Sequence, residues 1–139
     1  MKKMVVPKDV RDLLVRVARD AAADAYCPYS KYPVGAAVLT EDGQVYTGSN
    51  IENVSYGLTM CAERVAIYKA VSHGARRPLA ALAVVGGDAA NLASPCGACR
   101  QVLAEFATAE TPVFIAPLKK GRTVTATTLG ALLPMAFGK

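Results

Sequence analysis

The chain has 139 residues, 53% of them hydrophobic and 19% charged, a balance that suits one globular domain with its own core and excludes a disordered polymer. Its formal net charge of +5 includes the doublets Lys2-Lys3, Arg76-Arg77 and Lys119-Lys120, and only 6% of residues are aromatic, with no Trp. Nucleic-acid binders gather cations along one face with aromatics to stack on, so a solvated basic surface is expected instead.

At the N-terminus the apolar run Met4-Val5-Val6 stops at Pro7, too short for a signal-peptide core. No run anywhere approaches the ~20 residues needed to cross a bilayer. The expected compartment is cytoplasmic, where thiols stay reduced. Residues 8–25 put Val10, Leu13, Leu14, Val17 and Ala21 on one helical stripe. Two prolines, Pro28 and Pro33, interrupt that pattern. Residues 34–40 and 44–48 flank an Asp42-Gly43 turn and predict a β-hairpin. A second helix is predicted over 61–73, ended by Gly74. An apolar strand at 79–87 leads through a polar loop to a third helix at 97–107. A strand at 112–116, a turn at 119–122 and a short helix over about 127–133 complete the chain. The order predicts a single α/β domain spanning 1–139, with helices on both faces of a mixed sheet.

Chemistry enters at Ser94-Pro95-Cys96-Gly97-Ala98-Cys99. In a reducing compartment a C-x-x-C pair reads as metal-binding or catalytic. Zinc takes thiolates and imidazoles, so Cys27, Cys61 and His73 are the other candidates. Cys61 opens the second helix as Cys96 opens the third, and a helix N-terminus favours the thiolate. His73 is twelve residues along the same helix, about 18 Å from Cys61, and cannot share an ion with it. Cys27, in a loop with no partner spacing, reads as a plain thiol.

Cys61, Cys96 and Cys99 remain, three ligands with an open fourth position for water. Glu63, in the first helical turn, is placed to move that water's protons. Three thiolates leave a Zn2+ site with net negative charge, which opposes water ionisation. Arg64, three residues past Cys61, should lie back over it and offset that charge. Whether Arg100 assists is left open by the sequence.

These residues are recognisable together. Cys61-Ala62-Glu63 with Pro95-Cys96-Gly97-Ala98-Cys99 resembles the zinc deaminase signature. With PYSKYPVGAAV at 28–38, SNIENVSYGLT at 49–59 and LLPMAF at 132–137, the chain is similar to the small homotetrameric cytidine deaminases over residues 12–138.

The resemblance implies a three-layer α-β-α domain with about five strands, one zinc per chain, and hydrolysis of cytidine or 2′-deoxycytidine to the uridine and ammonia. It implies that Glu63 carries protons to ring N3 and the leaving amine while zinc-activated water attacks C4. It further implies that the Ala62 N–H meets the pyrimidine O2 and that the Ser94-Pro95 carbonyl region meets the amine. Asn50 and Glu52 match a ribose-binding N-x-E, and their spacing alone points both side chains the same way in extended chain.

Phe137 and Tyr56 match aromatics contributed across subunit interfaces, which makes a homotetramer with shared sites the expected partner state. Free nucleosides are expected over nucleic acid, and no membrane partner. Two positions depart from the family pattern: Tyr32 stands beside the pyrimidine pocket where many relatives carry Phe, and Met135 where a small residue is common. Two rival readings are a blasticidin S type deaminase and a structural zinc module with Cys27 or His73 as fourth ligand.

Overall fold

The structure, a computed structural model, describes residues 6–76, 78–121 and 123–138. Lys2, Lys3, Met4, Val5, Arg77 and Arg122, invoked above, lie outside the described residues.

Five strands form one mixed sheet in the order β2-β1-β3-β4-β5. The hairpin β1 (Val34–Leu39) and β2 (Val45–Ser49) is antiparallel, and Gly43 takes a φ of 89° in its turn. β1 also pairs antiparallel with β3 (Ala81–Gly86). β3 and β4 (Pro112–Ala116) are parallel, so the chain must cross over between them, and it does so through a helix. β5 (Thr125–Thr128) closes the far edge against β4.

Side-chain alternation along the strands splits the interior in two. Ala36, Val38, Leu82, Val84, Val113 and Ile115 face a core shared with α2 (Ala62–Ser72), α3 (Gly97–Phe106) and α4 (Leu129–Leu132). Ala37, Ala83, Val85 and Phe114 face the opposite way, against α1 (Lys8–Ala22). The molecule is thus the expected three-layer α-β-α arrangement. Small residues set the layer spacing. A Cβ on Gly35 would lie 1.8 Å from the Ala18 carbonyl oxygen, so α1 rests directly on β1. On the other face a Cβ on Gly48 would lie 2.6 Å from the Ala66 nitrogen of α2.

Two sequence expectations are corrected. The fully buried residues of α1 are Leu14, Val15, Ala18 and Ala22, with Val10 and Val17 of the expected stripe packed partly against the same core, and Leu13 is turned outward. At Gly35 the backbone of α1 at Ala18 and Ala22 comes close to the strand, an approach that small side chains permit. The C-terminal helix predicted over 127–133 is instead β5 followed by α4. Thr125, Thr127 and Thr128 are β-branched, and pairing with β4 satisfies their backbone. Thr128 then caps α4, its Oγ1 accepting the Ala131 N–H at 3.2 Å. No described helix is long and apolar enough to cross a membrane.

Candidate metal centre and active site

Past β2 the chain stays extended and is pinned on both sides. The Tyr26 N–H donates to the Asn50 carbonyl at 2.9 Å, and the Glu52 N–H donates to the Tyr26 carbonyl at 2.8 Å. Ile51 and Met60 exchange both backbone hydrogen bonds at 2.9 Å. Met60 precedes Cys61, so this pairing carries the start of α2 up against residues 50–52. The polar loop after β3 delivers Pro95 and Cys96 to the start of α3. The two helix N-termini therefore meet over the sheet, each opened by a cysteine at its N-cap.

The Sγ atoms of Cys61, Cys96 and Cys99 all lie within 4.8 Å of one another. Cys61 and Cys96 are 3.8 Å apart, and Cys96 and Cys99 3.5 Å. Tetrahedral zinc with Zn–S bonds of about 2.3 Å separates its sulfurs by about 3.8 Å, so the three thiols fit three corners of that polyhedron. Among the described residues neither Cys27 nor His73 joins the group. His73 instead places Nδ1 2.8 Å from the Lys69 carbonyl at the end of α2. The donor set suits a three-coordinate protein cage, not a saturated structural site.

Arg64 reaches back over α2 as expected, its Nη2 donating to Cys61 Sγ at 3.4 Å. That contact, followed by burial opposing it, raises the affinity of the guanidinium for its proton. Its Nε is buried and has no hydrogen-bond partner among the described residues. Cys61 is pushed down to about 5, first by a hydrogen bond from Cys99 and then by Arg64. Cys99 is pushed up, first by its hydrogen bond with Cys61 and then by burial. Glu63 is only 4% exposed, and burial pushes its carboxyl up to about 7.

Beside the thiols is a cavity of about 410 Å³, bordered by Tyr32, Asn50, Ala62, Glu63, Ser94 and Cys96 among others. Ala62 opens α2, so its N–H is one of the four at a helix start with no intrahelical acceptor. Asn50 is nearly buried and splits its amide between two backbone groups: Oδ1 accepts from Val34 N–H and Nδ2 donates to the Tyr32 carbonyl, both at 2.9 Å. One amide hydrogen remains. Glu52 Oε1 accepts the N–H groups of Tyr29 and Ser30 at 3.0 and 3.1 Å, and hydrogen bonding from Ser30 holds its carboxyl below the usual range. Asn50 and Glu52 thus both grip the 29–34 loop.

Glu52, Tyr56 and Phe137 do not border the cavity within this chain. Tyr56 is 75% exposed, its ring edge-on to Tyr29 at 5.9 Å between centroids. Phe137 is 86% exposed near the C-terminus. Met135 adopts a φ of 55°, the left-handed region where a small residue is easier to accommodate, and is fully exposed. Sequence reasoning missed Leu92 and Ala93, which form part of the cavity wall. The available signal was position: the loop that contains them ends on Cys96.

Comparison with known proteins agrees with this geometry. Residues 8–115 match the family model for the cytidine and deoxycytidylate deaminase zinc-binding region. The chain is 52% identical over 126 residues to a cytidine deaminase of Sporosarcina psychrophila, covering 91% of this chain and 90% of that one. It is 50% identical over 127 residues to the cytidine deaminase of Halalkalibacterium halodurans, covering 91% and 93%. Its backbone superposes on the crystal structure of cytidine deaminase from Burkholderia pseudomallei with a TM-score of 0.83, at 44% identity, covering 91% of this chain and 98% of the other. With the family model spanning most of the chain and relatives at half identity over nearly their full length, the chain belongs to the zinc-binding cytidine and deoxycytidylate deaminase family.

Proposed function

We propose that this chain hydrolyses cytidine and 2′-deoxycytidine to uridine and 2′-deoxyuridine with release of ammonia, a pyrimidine-salvage reaction, and that it does so in the cytoplasm as one domain over 1–139. The observation that carries the reading is the set of three thiols at tetrahedral spacing beside a cavity that contains the buried carboxyl of Glu63. Cys61, Cys96 and Cys99 would hold a zinc ion, which would supply Lewis acidity toward the attacking water.

The chain's own groups do the rest. Glu63, held near neutrality by burial, accepts a proton from the attacking water and returns it to ring N3. It carries the second proton to the departing amine, so water's oxygen stays on C4 and nitrogen leaves as ammonia. Arg64 offsets thiolate charge through its bond to Cys61. The Ala62 N–H holds the pyrimidine O2. Of the two carbonyls at Ser94-Pro95, that of Pro95 already accepts from Arg100 Nε at 2.6 Å. The Ser94 carbonyl is left to orient the amine.

Asn50, through its remaining amide hydrogen, and Glu52 receive the ribose hydroxyls. Tyr32 packs against the base. Phe137 and Tyr56 complete sites of neighbouring subunits in a homotetramer. Their exposure supports this, together with that of Val54 at 77% and Leu58 at 68% in the same loop as Tyr56, since a chain that stays monomeric rarely leaves so much apolar surface exposed.

The experiment is the loss of ultraviolet absorbance from cytidine in zinc-replete protein, with cytosine, CMP and blasticidin S as comparisons. Turnover of cytidine and deoxycytidine ahead of these is expected. Preference for blasticidin S, or a zinc sphere filled by four protein ligands in X-ray absorption, overturns the proposal. Native mass spectrometry tests the tetramer.

A further inference from the structure

Arg100 carries a step beyond that reading and rests on it. It lies in the first turn of α3, where its backbone N–H donates to the Cys96 carbonyl at 3.0 Å. Its side chain leans back toward the helix start, as helical side chains do, and there it meets two separate segments. Nε donates to the Pro95 carbonyl at 2.6 Å and Nη2 to Ser94 Oγ at 3.0 Å. Nη1 donates to the Leu132 carbonyl at 2.8 Å, at the end of α4, where carbonyls have no intrahelical donor. The next residue, Gln101, donates Nε2 to the Phe137 carbonyl at 3.1 Å.

We propose that Arg100 is a positioning residue, a planar three-way clamp that sets the Ser94–Cys96 edge of the cavity and the C-terminal segment 132–138 relative to each other. The division of labour with Arg64 supports this. Arg64 spends a donor on a thiol, whereas each of these Arg100 bonds ends on a neutral carbonyl or hydroxyl oxygen. Its work is geometric. Only a guanidinium presents Nε, Nη1 and Nη2 in one rigid plane; an ammonium is a point donor on a flexible stem. The two clamped segments are the wall of the cavity and the segment bearing Phe137, so one side chain ties a site within this subunit to the aromatic offered to the next.

The test compares Arg100→Ala, Arg100→Lys and Gln101→Ala in the zinc-loaded full chain. In both Arg100 variants, amide hydrogen exchange should quicken together in 92–99 and 130–138, while Gln101→Ala should quicken only the tail. Both Arg100 variants should keep one zinc per chain and lose on the order of 100-fold in kcat for cytidine, the effect of a misplacement of about 1 Å. Arg100→Lys should resemble Arg100→Ala, because it keeps the charge and loses the fork. Parental kcat in Arg100→Lys, unchanged exchange in either segment, or an activity loss that follows zinc loss overturns the clamp. Should Arg100→Ala not fold, Arg100→Lys carries the same comparison. If the parent fails to deaminate cytidine the functional reading falls, and the exchange measurement still decides the clamp.

Discussion

Replacing Glu63 by Gln changes one buried atom and tests two consequences of the same burial. The variant keeps the shape of the side chain, so the thiol cage and the cavity should survive and zinc should remain at one per chain. Proton transfer is removed, and kcat for cytidine should fall by ~10²–10⁴. Stability should move the other way. Burial raises the Glu63 carboxyl from 4.5 to about 7, which at ~1.4 kcal/mol for each tenfold change is about 3 kcal/mol against the ionised form. An acid whose folded pKa is raised weakens the fold as pH rises. The effect is absent below about pH 4.5, grows between there and about 7, and is complete above.

Metal-free Glu63→Gln should therefore be more stable than metal-free parent at pH 8.5 by about 3 kcal/mol, and equal to it near pH 4. In urea melts, a slope of ~2 kcal/mol per molar puts the midpoint about 1.5 M higher. A variant that deaminates at the parental rate refutes the proton-carrier role. A metal-free variant no more stable than the parent at pH 8.5 refutes the claim that burial strains the carboxylate.

Gly35→Ala should destabilise the fold by at least ~1–3 kcal/mol, read by thermal melting, because backbone on α1 occupies the space the methyl needs. A melting temperature equal to the parent's would show that α1 can retreat freely. Cys27→Ala should leave zinc at one per chain by elemental analysis, since Cys27 is outside the thiol group; loss of metal would make it a ligand and favour a structural site. For Arg64→Ala, the acid limb of the kcat/KM profile should move to higher pH, because removing a cation from Cys61 makes proton loss at the site harder. A profile that stays in place would take Arg64 out of the charge balance.

Much of the site was legible because its parts are local. Cys61-Ala62-Glu63-Arg64 and Pro95-Cys96-Gly97-Ala98-Cys99 each open a helix, and helix geometry alone places Arg64 over Cys61 and Cys99 one turn from Cys96. Asn50 and Glu52 share a side because alternation in extended chain has period two, although the structure shows them first holding the 29–34 loop. Arg100 was visible as a cation near the metal but not as a clamp, since Leu132, thirty-two residues away, supplies one of its acceptors.

The sequence by itself determined the hairpin, the two cysteine-led helix starts, the three-thiol set and the presence of a carboxyl beside it. The hairpin and each helix start are specified by residues within one turn or one strand pair, and the three thiols follow from two such starts. Tertiary structure alone decided the fifth strand, which face of α1 is buried and the pairing of Ile51 with Met60 that sets residues 50–52 against the start of α2. Thr125, Thr127 and Thr128 join a strand because β4 offers an open edge, and α1 rests on β1 with Leu13 outward where Gly35 lets the helix backbone at Ala18 come close. Such outcomes depend on which surfaces meet across the sheet, and local pattern contains no record of that.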